Sequence, residues 1–472
     1  MLGLFGTLNM ASQSLDTQML GVEVAGQNLA NVNTTGYARQ TVDIQSSPDI
    51  ATSNGPEGTG ADAAAIQQIS DALLNSQIQS QQSVSGYWNS QQTALQSAQT
   101  NLDEYLNGTA SSSSSATDTS STGLSAQLSG LFSGFSSLAT SPTSVTAQQA
   151  VVNQAQNLAT TFNQVDNQLN DLNTSLNSSL TGAVSSANGL LSNIASLNSE
   201  ISTAEFSGGS ANDLLDTREQ DLENLSQLVT LQTSTGTGNS VNVSIGGQLL
   251  VSGGHQLDQL QTYDSGNGNL QVKTATGGVP LTLTGGSIQG TMDARDGALA
   301  TLQSSVNSLA TTLIAQVNGI QNNGYSPTGT TGTAFFTGTN AGDIAVNSAL
   351  VNNPALLQSS GSASSPADNS VALQLANLSS TAQSSLNGQT FGDAYDSTVA
   401  SLGDALQTAN DQVTNQTAVT TMLQTQQSNV SGVNVDEEMT NLMGFQRAYE
   451  ASAQLVTTIN TMIGDTLTMK TA

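Results

Sequence analysis

The sequence predicts a mainly helical α+β protein: a long helical bundle with paired, coiled-coil-like helices at its N and C termini and a smaller β-rich module inserted in the middle. Three observations predict this class. Both terminal segments repeat apolar residues at intervals of three and four. The body between them does the same over long stretches. Near residue 231 the period changes to strand-like alternation.

The first predicted helix covers residues 8 to 32. Its apolar residues recur at intervals of seven, four and three, which places them on one face, and Gln, Asn, Asp and Ser occupy the opposite face. Gly36 is expected to end this helix, because glycine adopts the positive φ of a C-terminal cap without strain. The apolar face consists of Leu8, Leu15, Met19, Val22, Leu29 and Val32.

The body is predicted to start with an extended segment over residues 38 to 60, where prolines and glycines interrupt any helix. A long helix is expected from Ala61 to about Leu106. Residues 109 to 123 are rich in serine and threonine and too polar to form a core, so we expect a flexible loop there. Two further helical stretches cover residues 124 to 206 and 211 to 229.

The change of period defines the β-rich module. Val241, Val243 and Ile245 alternate with polar residues and precede Gly246-Gly247, which predicts a strand followed by a tight turn. The strand pattern continues to Gly290. Helix is then expected over residues 291 to 322 and 366 to 430, while the Gly- and Thr-rich segment 324 to 365 is expected to add strands to the module.

These elements predict three domains. The terminal helices comprise residues 1–36 and 434–472, the helical body comprises residues 37–230, 291–323 and 366–433, and the β-rich module comprises residues 231–290 and 324–365.

The C-terminal segment is predicted to form a second amphipathic helix. Three acids, Asp436, Glu437 and Glu438, occupy its first turn, where carboxylates favour the positive end of the helix dipole. Its apolar line consists of Leu442, Phe445, Tyr449, Val456, Ile459, Ile463 and Leu467.

Each terminal helix needs a partner for its apolar stripe, because an isolated helix of this length is marginal in water. The simplest partner is the other terminus, which gives a coiled-coil-like pair. Two interpretations remain open at this point. The terminal helices either pack onto the body as a bundle, or they become ordered only when copies of the chain assemble.

Composition excludes several classes of function. The 472 residues include 34 acids and 6 bases, giving a net charge of −28, so a nucleic-acid partner is not expected. Membrane insertion is not expected either, because no apolar run approaches the roughly 18 residues that span a bilayer. Cysteine is absent and His255 is the single histidine, which argues against thiolate and His-rich metal sites; we expect no metal, no cofactor and no catalytic residue. The N-terminal sequence lacks the basic and apolar regions of a cleaved secretory signal.

Two terminal motifs resemble a known family. "NLANVNTTGYARQ" carries Asn28, Asn31, Asn33, Gly36, Tyr37 and Arg39 in the spacing of the N-terminal signature of flagellar axial proteins, which are the rod, hook and hook-associated proteins. The C-terminal "MGFQRAYEASAQLV", which includes Gln446 and Arg447, is similar to the C-terminal signature of the same family. Internal segments such as "DLLDTREQDLENLSQLV" and "GGSIQGTMDARDGAL" resemble its hook-associated members.

The resemblance implies a structural protein of the bacterial flagellum and not an enzyme. It implies that the terminal helices form an inner assembly domain, with the β-rich module on the outside, and that the protein connects hook to filament. The implied partners are further copies of the chain, the hook protein, a second hook–filament junction protein and a cytoplasmic export chaperone bound at the C-terminal helix. The implied location is extracellular, after type III export without a cleaved signal.

Alternative functions are a hook-type subunit, an adhesin, or a cell-wall hydrolase with a carboxylate pair such as Asp293 and Asp296. The low aromatic content, 4%, disfavours a sugar cleft. A separate hypothesis concerns the four arginines that lie within family-like motifs. In so acidic a chain, each is expected to pair with a specific carboxylate; the four are Arg39, Arg218, Arg295 and Arg447.

Overall fold

The structure is a computed structural model, and it describes residues 3–52, 55–102 and 123–469. The predicted flexible loop at residues 109 to 123 lies outside the described residues except for its last position. Eleven α-helices are described: α1 (Leu4–Ala30), α2 (Ala72–Asn101), α3 (Leu124–Thr140), α4 (Val145–Phe206), α5 (Asn212–Leu228), α6 (Gly286–Asp293), α7 (Ala300–Gln321), α8 (Ser348–Asn352), α9 (Ser370–Asn377), α10 (Phe391–Ser431) and α11 (Val435–Met469).

The strands are short and pair in antiparallel fashion within five small sheets. β1 pairs with β4, β2 with β3, β9 with β10 and β11 with β12, while β5 to β8 form one four-stranded meander. Their bounds are β1 (Gln40–Ser46), β2 (Ile50–Thr52), β3 (Gly55–Glu57), β4 (Ala61–Gln68), β5 (Leu231–Thr235), β6 (Val241–Ile245), β7 (Gln248–Ser252), β8 (His255–Gln256), β9 (Leu260–Asp264), β10 (Leu270–Thr274), β11 (Phe336–Thr337) and β12 (Ala345–Val346).

Helix α4 is the longest element and contributes to two hydrophobic cores. Ser144 caps its N terminus by accepting a hydrogen bond from the Ala147 main-chain N–H. Its 62 residues correspond to a length of about 90 Å. The first half, from Val151 to Leu172, belongs to the core of the helical body, and the second half, from Leu180, belongs to the core under the β-rich module.

The helical body is built around α3, α4, α7, α9 and α10. The segment 324–365 also belongs to this core, contrary to the prediction that it adds strands to the β-rich module. Phe335 and Phe336 are fully buried there, and the Phe335 ring packs 5.5 Å from the Phe135 ring of α3. β11 and β12 pair only with each other, because the apolar side chains of this segment fill the space between α4 and α7.

The β-rich module rests on the distal half of α4 and on α5 and α6. Val243 and Ile245 of β6 are fully buried against Leu191 and Ile194 of α4 in one cluster. The Gly246-Gly247 turn has positive φ at both positions, as the predicted hairpin requires. The expected module boundary at residue 290 is too late, since strand structure ends earlier and α6 starts at Gly286.

A second difference concerns Ala61, where helix was expected and β4 begins instead. β4 pairs with β1, with Val42 opposite Ile66, so this segment completes a hairpin that flanks α1. The helix starts eleven residues later, at α2, because Asp71 supplies the N-cap: its carboxylate accepts hydrogen bonds from the Leu73 and Leu74 main-chain N–H groups. None of the helices within the described ranges is both long and apolar enough to cross a lipid bilayer.

Close approach of α2 and α6 generates a stability prediction. A methyl group at Gly290 would collide with the main chain of Tyr87, whereas Gly182 in α4 is exposed and faces open space. We therefore expect Gly290→Ala to lower the free energy of unfolding by about 1–3 kcal/mol. Gly182→Ala is the matched control and is expected to raise it by up to about 1 kcal/mol, because alanine favours helix. Denaturant melts followed by circular dichroism measure both; equal effects would contradict the packing argument.

Candidate assembly interface

The two terminal helices, α1 and α11, lie antiparallel along each other. The Ser14 and Ser452 hydroxyls are hydrogen-bonded at 3.0 Å, and the Asn28 amide donates to Glu438 Oε2 at 3.0 Å. Between them the Phe445 ring lies directly over Gly21, where a Cβ would be 2.6 Å from Cδ1 of the ring. From one contact to the next, the residue number rises by seven in α1 and falls by seven in α11. This is the spacing of an antiparallel coiled coil.

The buried face of α1 differs from the predicted apolar stripe. Leu15, Val22 and Leu29 are only half-buried, and Met19 is 56% exposed. The helix packs on two sides, against α11 and against the β1–β4 hairpin, where the Thr17 hydroxyl donates to the Ala61 carbonyl. Small side chains permit both close contacts, and the buried positions are Ala11, Thr17, Gly21, Val24, Ala25 and Asn28.

Helix α11 is covered on one side only. Of its described residues, Glu438 and Ile459 alone are buried. Among the predicted line, Leu442, Phe445, Val456 and Ile463 are half-buried, while Tyr449 is exposed, as are the neighbouring Gln446 and Arg447. Its large exposed apolar side chains are Val435, Met439, Met443, Tyr449, Leu455, Met462, Leu467 and Met469.

The joint between the terminal pair and the body is organised by Asn28, which is 1% exposed. Its amide nitrogen donates to the Gln40 carbonyl at 2.8 Å as well as to Glu438. Its Oδ1 accepts hydrogen bonds from the Gln40 main-chain N–H at 2.9 Å and from the Tyr37 hydroxyl at 2.8 Å. One amide therefore connects the end of α1, the start of β1 and the start of α11.

Arg39 completes this joint. Its Nε donates to Glu438 Oε1 at 2.7 Å and its terminal nitrogen donates to Glu437 Oε1 at 2.9 Å. Burial alone would lower the pKa of Arg39, but the hydrogen bond and charge of the two glutamates outweigh burial and raise it. The Arg39 main-chain N–H also donates to the carbonyl of Ser431, at the last residue of α10. The expected specific pairing of Arg39 with a carboxylate is confirmed.

The other motif residues shape the turn between α1 and β1. Gly36 has a φ of +81°, as expected for the stop after α1. The Asn31 side chain donates to the Gln27 carbonyl and accepts from the Thr34 hydroxyl, so it holds the C-terminal end of the helix. Asn33 is exposed.

Acids of α5 line a cleft of about 1160 Å³ beside the joint, between α2, α5 and α10. Asp216 accepts a hydrogen bond from the Ala38 main-chain N–H at 3.1 Å. Burial raises the pKa of Asp216 to about 6, with repulsion from Asp213 adding to the shift. Burial, together with the negative charges of Asp213, Asp216 and Glu438, raises the pKa of Tyr37 to about 12. No residue of this group was predicted as part of the joint except Tyr37.

The remaining arginines behave differently from one another. Arg295 is fully buried and pairs with Asp296 at 2.8 Å, while it also donates to Asn177 of α4. Arg218 donates to Asn198 and to the Asn239 carbonyl and has no carboxylate within salt-bridge distance among the described residues. The expected carboxylate pairing is therefore wrong for Arg218, because neutral oxygen atoms satisfy its guanidinium.

The acids proposed for a hydrolase have structural partners. Asp293 accepts hydrogen bonds from the Tyr87 hydroxyl and the Gln289 amide, and Asp296 is held by Arg295. Within the described part of the chain, no group of three or more His, Cys, Asp or Glu side chains is arranged to hold a metal ion.

Comparisons with known proteins agree with the terminal motifs. The family model for the helical domain of the flagellar hook-associated protein FlgK matches residues 113–336, and the family model for the C-terminal part of the flagellar basal body rod FlgEFG proteins matches residues 424–469. The fold is similar to that of the flagellar hook junction protein FlgK from Burkholderia pseudomallei, with a TM-score of 0.65 and 17% identity over 75% of this chain and 100% of that chain.

Curated relatives match over almost the whole length. Flagellar hook-associated protein 1 of Bacillus subtilis is 25% identical, with 96% of both chains covered. Flagellar hook-associated protein 1 of Escherichia coli is 23% identical, with 96% of this chain and 97% of that protein covered. The motifs at both termini, the fold and these matches all indicate that the chain is similar to flagellar hook-associated protein 1.

Proposed function

We propose that this protein is a structural component of the bacterial flagellum that connects hook to filament, and that its terminal helices drive self-assembly. The relatives named flagellar hook-associated protein 1 and the fold shared with a flagellar hook junction protein support this role. The chain accordingly belongs to the flagellum and assembles with other flagellar components. Its role is structural and non-enzymatic.

The observation that carries this proposal is the incomplete burial of α11. The helix packs along α1 and leaves eight large apolar side chains exposed, from Val435 to Met469. Exposed apolar surface that extends over a whole helix marks an interaction site. Covering it with neighbouring copies contributes about 25 cal/mol per Å² of buried apolar area, which couples the order of the terminal helices to assembly.

The finer partners follow from the same role. We place the hook protein on one side of the assembly and a second hook–filament junction protein on the other. The exposed apolar face of α11 also suits a cytoplasmic export chaperone, which would cover it before assembly. Type III export without a cleaved signal would then deliver the protein to the outside of the cell. The hook-type subunit, the adhesin and the hydrolase gain no support from the relatives or the site.

The joint transmits the orientation of the terminal pair to the body. Asn28 and Arg39 bind the same carboxylate, Glu438, so the angle between α1, β1 and α11 is set by one buried network. Ser431 at the end of α10 is tied to the same arginine through the main chain. Assembly through the terminal helices would therefore fix how each body is presented around the flagellar axis.

The first prediction concerns removal of residues 434–472. We expect a folded, soluble body that no longer self-associates or restores swimming, because α11 contributes little to the cores of the body. Circular dichroism, sedimentation velocity and a motility assay in a strain lacking the native protein measure these three properties. A truncated protein that restores swimming would contradict the proposed function.

The second prediction concerns the Arg39–Glu438 pair. Glu438 is 3% exposed and Glu437 is 54% exposed, and both bind Arg39. A double-mutant cycle with Arg39→Met and Glu438→Gln is expected to give a coupling energy of about 1–3 kcal/mol. The matched cycle with Glu437→Gln should give less than about 1 kcal/mol, because water screens the exposed partner. Equal coupling in the two cycles would show that burial of Glu438 does not strengthen the pair.

The third prediction concerns pH. Because the pKa of Asp216 is raised to about 6 in the folded protein, this group favours folding below its ordinary pKa and loses that contribution as pH rises through 6. Lowering pH from 7 to 5 should raise the free energy of unfolding by roughly 0.5–1 kcal/mol through Asp216, discounted for its partial contact with water. Asp216→Asn should reduce this gain; an unchanged pH profile would disprove the assignment.

A further inference from the structure

The terminal helices have a strongly unequal distribution of charge. In the described parts of α1 and α11 there are seven carboxylates and a single cation, Arg447. Arg39, which follows α1 in the sequence, is already engaged by Glu437 and Glu438 within the same chain. The carboxylates are Asp16, Glu23, Asp436, Glu437, Glu438, Glu450 and Asp465.

Arg447 lies on the side of α11 that faces away from α1. Phe445 contacts Gly21 of α1. Each residue of an α-helix turns by about 100°, so Arg447, two positions later, lies about 160° around the helix axis from that contact. Arg447 is exposed, and no carboxylate of the described residues lies within 4 Å of its guanidinium. Met443, one turn earlier on the same side, is 48% exposed. Arg447, which has no carboxylate partner among the described residues, thus lies beside exposed apolar surface.

Assembly of copies brings acidic helices together. Each copy carries a net charge of −28, so apolar contact between terminal helices also places carboxylates close to one another. A cation at the contact offsets this repulsion, and arginine is favoured at such positions because its planar guanidinium binds a carboxylate through two hydrogen bonds.

We propose, resting on the proposed function, that Arg447 pairs with a carboxylate on the terminal helices of an adjacent copy and makes self-association specific. The occupant of this face is a second copy of the chain. Charge complementarity supports this choice: every copy supplies Arg447 and several exposed carboxylates, including Asp16, Glu23 and Glu450. Arg447 thereby acts in the contact between copies, whereas Arg39 acts within one copy.

The test compares two single changes that alter net charge equally on adjacent exposed positions. Arg447→Gln removes the cation, and Gln446→Glu adds an anion beside it. We expect Arg447→Gln to raise the concentration needed for self-association of the purified full chain about tenfold, and Gln446→Glu to have a clearly smaller effect. Sedimentation velocity over a range of concentrations provides the measurement, and circular dichroism verifies that both variants are folded. Equal effects would show that net charge alone matters and would overturn the proposal.

Charge reversal identifies the partner carboxylate. Arg447→Glu should abolish self-association, and a second change in the same chain, Asp16→Arg, Glu23→Arg, Asp436→Arg, Glu450→Arg or Asp465→Arg, should restore it at the true partner; Glu437 and Glu438 are left out because they bind Arg39. Failure of all five to restore association would overturn the proposal. Reduced export with normal self-association of purified Arg447→Gln would assign the contact to an export factor and would also overturn it. In either case the truncation lacking residues 434–472 tests the proposed function separately.

Discussion

The way in which the terminal helices join the body depends most on how one buried carboxylate, Glu438, is neutralised. A charged group away from water is strongly unfavourable unless it is paired and hydrogen-bonded. Arg39 and Asn28 supply that pairing, and they come from the two sides of the turn after α1. The N-terminal helix, the first strand and the C-terminal helix must therefore meet at one point, although the residues concerned are separated by about 400 positions in the sequence.

Around this point the terminal pair and the body are stabilised by different means. The contact between α1 and α11 uses a glycine, two serines and an Asn–Glu pair, which specify register but bury little apolar area. The body instead concentrates large apolar side chains in two continuous cores that share α4. This division explains how a chain with only 36% hydrophobic residues maintains a body with two apolar cores while most of α11 stays exposed.

Sequence periodicity predicted the helices and the β-rich module because long amphipathic runs and alternation are local properties. It could not show which face of α1 is buried, since a second partner, the β1–β4 hairpin, favours small residues such as Ala25 over bulky ones such as Met19. The position of residues 324–365 depended on where Phe335 and Phe336 find space, which is a tertiary property. The motif residues around Arg39 were recognised from their spacing, whereas Asp216 joins them only through a contact distant in sequence.

The single long helix α4 has a mechanical consequence. Because it runs without interruption from one core into the other, the helical body and the β-rich module cannot rotate against each other without bending or twisting α4 itself. Two chain crossings near Gly36 and Gly432 connect this unit to the terminal helices, and the hydrogen bonds of Asn28 and Arg39 to Glu438 hold the angle between them. Torque applied at the terminal helices would therefore reach the helical body and the β-rich module together, through one continuous helix.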